Sequence, residues 1–166
     1  MMKLKANDYV SVTRSYLKRY NLYAQYLNNM KVEVRDIDRQ LASESIRVSG
    51  YGADRGGSSS GLTVVESAAG RRILLEEEKS RLLNDALMLE SLMTRLTNAM
   101  LRLTPDEQGM IRGFYIDGLG YESLSRRYSY SERWCRKLLR GAEEKLAVMM
   151  FGPGAGEPVK FLRTVV

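Results

Sequence analysis

Thr104-Pro105-Asp106-Glu107, then Asp117-Gly118-Leu119-Gly120, then Tyr121-Glu122-Ser123-Leu124-Ser125-Arg126-Arg127-Tyr128, and finally Ser129-Tyr130-Ser131-Glu132-Arg133-Trp134-Cys135-Arg136-Lys137 succeed one another in the last part of this 166-residue chain. The first group is a helix start. A threonine N-cap, proline at the first helical position and glutamate at the third form a capping box, in which hydroxyl and carboxylate each satisfy a free amide. Met110, Ile111, Phe114 and Tyr115 give that helix one apolar face, and Asp117 to Gly120 ends it. Tyr121 to Tyr128 is long enough for about two turns. A corner at Tyr128-Ser129-Tyr130 leads to Ser131, a second good N-cap. Beyond it Cys135, Leu139, Ala142 and Leu146 return at helical spacing and define a buried face.

The opposite face of that last helix carries Arg133, Trp134, Arg136, Lys137 and Arg140. Cations on a helix are by themselves an ordinary solvated surface. Here they follow a short helix and a tight corner, the order of parts that places a helix in the major groove of DNA. The expected contacts are Ser131, Arg133, Trp134, Arg136, Lys137 and Arg140, with Arg126 or Arg127 on flanking phosphates. Arg133, Arg136 and Lys137, in the first turns, are expected deepest in the groove, and Arg140 on the backbone. For Trp134 two readings stand: it meets DNA, or it packs under the preceding helix. Cys135 is expected to be a small core residue, since no base accompanies it.

Upstream, apolar and aromatic residues alternate at four and three: Tyr16, Tyr20, Tyr23, Leu27, Met30, Val34, Ile37 and Leu41. The same spacing returns in Leu75, Lys79, Leu82, Ala86, Leu89, Met93, Leu96, Met100 and Leu103, with one lysine in the seam. Both are heptad seams. They predict two long helices over residues 8–49 and 62–102, within which the ladders themselves reach about 35–45 Å. The pair forms either an antiparallel hairpin or a coiled coil between subunits. Tyr16, Tyr20 and Tyr23 are read as covering the seam, with their hydroxyls at its edge. Gly50 to Gly61 is glycine- and serine-rich and reads as a flexible linker, since no Gly-Lys-Ser follows to make a phosphate loop. The expected fold class is all-α. A helical hairpin or oligomerisation segment over 1–102 precedes a three-helix helix-turn-helix module over 103–151 and a flexible tail over 152–166.

Composition bounds the chemistry. Net charge is +6, with 26 Lys and Arg against 20 Asp and Glu, which favours a polyanionic partner. There is no histidine and a single cysteine, so the commonest general base, the usual metal ligand and any disulfide within the chain are missing. No catalytic, cofactor-binding or metal-binding residue is expected, and the protein is not expected to be an enzyme. No apolar run is long enough to span a bilayer. The first residues also lack the apolar core of a signal peptide, so a location in the bacterial cytoplasm, away from membranes, is expected.

Leu103-Thr104-Pro105-Asp106-Glu107, Tyr115-Ile116-Asp117-Gly118-Leu119-Gly120-Tyr121-Glu122-Ser123-Leu124 and Tyr130-Ser131-Glu132-Arg133-Trp134-Cys135-Arg136-Lys137 together resemble region 4 of bacterial sigma factors. Two long helices before that module, with a glycine-rich break between them, are similar to the sigma-like regulators of Gram-positive phages and prophages, the ArpU and RinA type. The resemblance implies sequence-specific binding of double-stranded DNA, activation of late phage genes, and host RNA polymerase as a candidate partner. Ser125 stands where that motif usually has alanine, and Trp134 where a small or polar residue is commoner. Nothing resembles the sigma segments that melt promoter DNA. Two other readings remain at this point: a phage small terminase subunit, which would oligomerise through helices 8–49 and 62–102, and a helical scaffold that binds another protein.

Overall fold

The computed structural model describes residues 6–51 and 60–155, and every regular element among them is helical. The order is α1 (Ala6–Lys18), α2 (Tyr20–Tyr51), α3 (Ser60–Met100), α4 (Pro105–Ile111), a π-helical turn (Arg112–Ile116), α5 (Tyr121–Tyr128), α6 (Glu132–Phe151) and a 3-10 turn (Pro153–Ala155). The all-α expectation is met. Several boundaries differ from the sequence reading. The first long helix is interrupted at Arg19, whose amide is shared between Ser15 O at 3.3 Å and Tyr16 O at 3.2 Å. Gly50 and Tyr51 end α2 and Ser60 and Gly61 begin α3, so the glycine-rich stretch is shorter at both ends than expected; residues 52–59 lie outside the described residues. With 41 residues, α3 is about 60 Å long and begins well before its seam, which starts only at Leu75. No proline precedes its seam to stop the helix earlier. The start of the expected flexible tail is also built into the fold. Gly152 leaves α6 at φ 90°, a left-handed conformation suited to glycine. Three residues later Ala155 is buried, and 156–166 lie outside the described residues.

The described chain divides into two compact units. One is Gln25–Glu90; the other joins the residues up to Ala24 with those from Ser91 onward. The division therefore does not fall at Arg102, because α1 and the end of α3 belong with α4, α5 and α6.

In the Gln25–Glu90 unit, Met30 and Ile37 of α2 are buried with Leu82 and Ala86 of α3, flanked by Leu27, Val34, Leu41 and Leu75. Three ion pairs fix the direction: Lys31 to Glu90 at 3.1 Å, Asp38 to Lys79 at 2.6 Å and Glu44 to Arg71 at 3.5 Å. Partner numbers fall on one helix as they rise on the other, so the two run antiparallel and the two seams meet within one chain. Lys79 explains itself here. Its ammonium reaches Asp38 of α2 at 2.6 Å, so the one cation in the seam is paired across the hairpin. These exposed pairs set register and contribute at most about 1 kcal/mol each.

In the other unit α1 lies on α6. Thr13 and Leu17 are fully buried, and the Tyr9 and Tyr16 rings sit 5.3 Å and 6.4 Å from that of Phe151. The Thr13 hydroxyl donates to Tyr9 O, so this buried polar group is satisfied within its own helix. Glu143 of α6 is buried. It accepts from Arg14 Nε at 2.6 Å and from the Tyr115 hydroxyl at 2.5 Å. Its partners come from α1 and the π turn, both distant in sequence. Arg95 of α3 donates to the carbonyl of Met150, covering an orphan acceptor near the end of α6.

Burial, and then the hydrogen bond to Glu143, push the Tyr115 hydroxyl far above the ordinary tyrosine value. A raised value in the folded state means stabilisation that is complete below the unfolded value of about 10 and lost as pH rises further. Stability should therefore decline above about pH 10, and Tyr115→Phe should flatten that decline. Urea midpoints measured from pH 8 to pH 11 check this; equal slopes for the two proteins would refute it.

Candidate nucleic-acid interface

The capping box foreseen at Thr104 forms. Its hydroxyl accepts from the Glu107 amide at 3.4 Å, and Glu107 Oε2 accepts from the Thr104 amide at 3.1 Å. Glu107 is buried, and its other oxygen accepts from Lys145 of α6 at 2.5 Å. Burial pushes this carboxyl up, but Lys145 and the cap outweigh it and hold Glu107 below the usual value. The cap thus also fastens α4 to α6. The π turn ends with Asp117 N bonded to Arg112 O at 2.9 Å and Leu119 N to Gly113 O at 2.8 Å. Gly118 takes the left-handed conformation that lets the chain reverse, at φ 69°.

α5 has eight residues and is anchored by the fully buried Leu124. It stops at Ser129, which adopts φ 55°. Three hydrogen bonds set the corner. Ser125 Oγ donates to Tyr130 O at 2.5 Å, Tyr130 N donates to Ser125 O at 3.2 Å, and the Tyr130 hydroxyl donates to Asp106 at 2.7 Å. Ser131 then caps α6, its hydroxyl accepting from Trp134 N at 3.2 Å. Ser125 is therefore a participant in the corner.

Cys135, Leu139, Ala142 and Leu146 of α6 are all buried, as the spacing predicted. Burial pushes the Cys135 thiol up, which keeps it protonated and unreactive near neutral pH. On the opposite side Ser131, Arg133, Trp134, Arg136, Lys137 and Arg140 line one shallow, open depression. Six of the eight expected contacts are thus brought together, and every one of them is exposed.

No protein-family model, curated protein or solved structure matches this chain.

What this surface can do follows from its own groups. Trp134 is 46% exposed, so it does not pack under the preceding helix; Lys137 Nζ lies 5.1 Å from its ring centroid. Arg133 has no ion-pair partner among the described residues. Arg136 is held at the α5 edge, 3.0 Å from Glu132 and 4.8 Å from the Tyr121 ring centroid. Arg140 pairs with Glu144 at 3.2 Å. Arg126 and Arg127 stay outside the depression. Arg126 is paired with Glu122 on α5, and Arg127 lies 3.9 Å from Asp117. Arg127 instead shares a second depression with Arg112, Gln108 and Tyr128, where α4 and α5 meet. Tyr128 packs so closely there that a Cβ on Gly109 would collide with its phenol.

Sequence reasoning missed Tyr121 and Glu132 as the groups that hold Arg136, and it missed Arg112. The i,i+4 spacing of Glu132 and Arg136 was a readable signal for one of them. Charge also segregates along the chain. Residues 25–90 carry nine Lys and Arg against eleven Asp and Glu, whereas the remainder carries seventeen against nine. The positive excess belongs to the part of the chain that contains α6.

Proposed function

We propose that this protein is a sequence-specific double-stranded-DNA-binding regulator of transcription, with α5 and α6 as its helix-turn-helix and α6 as the recognition helix. The observation that carries this reading is the exposed depression formed jointly by Ser131, Arg133, Trp134, Arg136, Lys137 and Arg140 on a helix whose other side is buried. A helix presented in this way fits the width of a major groove, and its first turns can reach base edges. Arg133, without an ion-pair partner among the described residues and early in α6, suits base readout together with Lys137. Arg136, tied to Tyr121 and Glu132, suits a fixed contact to the phosphate strand beside α5, and Arg140 a second one further along. Arg126, Arg127 and Arg112 would extend the phosphate track. The segregated charge supports the same reading, since phosphate neutralisation dominates affinity for DNA.

The resemblance to sigma region 4 and to ArpU- and RinA-type regulators adds the biological setting: activation of late phage or prophage genes, with host RNA polymerase as a partner. The α2–α3 hairpin buries its seam within one chain, while Tyr26, Ile73, Leu74, Leu87 and Met88 stay exposed on the same two helices, where a second copy could pack.

The test is binding of the full chain to duplexes selected from a randomised pool, repeated across a salt series. Arg133→Ala should weaken the selected site by about 1–3 kcal/mol and relax preference at one position. Arg140→Ala should weaken all sequences alike and reduce the salt slope by about one. Absence of binding to any duplex at low salt would remove this proposal.

A further inference from the structure

We infer that Trp134 reads the 5-methyl group of a thymine in the major groove. This rests on the DNA-binding reading above and adds to it which feature of a base is recognised. Trp134 is the one tryptophan of the chain, and nearly half of it is open to solvent. Its main chain is fixed at the start of α6, because its backbone amide donates to the Ser131 cap at 3.2 Å. Lys137 occupies one side of the ring, with Nζ 5.1 Å from the centroid. Arg133, Arg136 and Arg140 complete the surroundings in the same depression.

That setting selects its occupant. An apolar protein surface laid on the indole would have to strip water from the neighbouring cations without returning any charge, which is costly. A polyanion leaves those cations paired, so the partner of this ring is an apolar group carried on a polyanion. Among base edges in the major groove, the apolar group is the thymine methyl; every other feature there is a hydrogen-bond donor or acceptor. The indole carbon edge has no hydrogen bond to offer such groups, but it can cover a methyl. Wedging between bases is the alternative use of a large side chain, and it is characteristic of minor-groove binders, not of a helix lying in the major groove.

The experiment uses a duplex selected from a randomised pool by the full chain, with each thymidine replaced in turn by deoxyuridine. The replacement removes the methyl and keeps the hydrogen-bonding edge. Burial of one methyl corresponds to about a fourfold change in Kd, so one uracil position should weaken binding by about fourfold. Trp134→Ala should bind the thymine and uracil duplexes equally. Trp134→Leu, which keeps an apolar side chain, should retain part of the preference and guards against a trivial loss of binding. No uracil effect with the unaltered chain, or an undiminished effect in Trp134→Ala, overturns the inference while leaving DNA binding intact. Failure to select any duplex overturns the DNA reading itself, and this inference with it.

Discussion

Arg14→Met is expected to destabilise the protein by about 3–5 kcal/mol, although Arg14 itself is largely on the surface. The two members of its ion pair are unequal: the Arg14 side chain is 44% exposed and that of Glu143 only 4%. Without the guanidinium, Glu143 keeps one donor, the Tyr115 hydroxyl, for a carboxylate enclosed between α1 and α6. An enclosed charge stripped of its partner is far more costly than the pair's net contribution. It follows that Arg14→Met combined with Glu143→Met should recover part of the loss, since it removes the stranded carboxylate and leaves only the half-buried Tyr115 hydroxyl without its acceptor. Urea unfolding of the two single variants and the double variant checks this, with hydrogen exchange of the α6 amides to localise the effect. A double variant as unstable as Arg14→Met would show that lost packing, and not the stranded carboxylate, is responsible.

Leu124→Ala is the second large effect, about 2–5 kcal/mol. α5 is too short to persist without tertiary support, and Leu124 is its fully buried residue. The leucine methyl approaches so closely that a Cβ on Gly113 would lie 2.6 Å from Leu124 Cδ2. The π turn is therefore moulded around this side chain, and truncation leaves a cavity between α5 and that turn. Leu124→Met, which conserves volume, should cost less than about 1.5 kcal/mol. Thermal unfolding separates the two, and equal midpoints would mean that α5 is held by Tyr121 and Tyr128 instead.

How far the fold could be read in advance depended on whether the cause was local. The Thr104 and Ser131 caps need only neighbours three residues away, and both form as expected. The buried face of α6 needs only the helical period. The seams predicted helices but not their partners: Tyr16 and Ile37 lie in one unbroken ladder, yet they belong to different compact units. A heptad pattern states that a face is covered without stating by what. Glu143 was unreadable for the same reason in a sharper form. Its partner Arg14 is 129 residues away in sequence, and residue type alone assigns a glutamate to water. In the candidate interface the cations were legible from composition and spacing. The ties that distinguish Arg136 from Arg133 depend on where Tyr121 falls in space, which no linear pattern supplies.

The division of the chain also bears on the order in which it is made. Gln25–Glu90 is continuous, so all its seam residues have been synthesised before α4 is begun. The unit that holds α6 is assembled from segments before and after that hairpin, and α1 has nothing to lie on until the buried side of α6 has been translated. At about 5–20 residues per second on a ribosome, Thr13 and Leu17 wait several seconds for their covering. During that interval a nascent α1 exposes Tyr9, Tyr16 and Leu17 to whatever else can bind an apolar helix. The hairpin can therefore mature early, while the cationic surface is complete only once α6 has followed it.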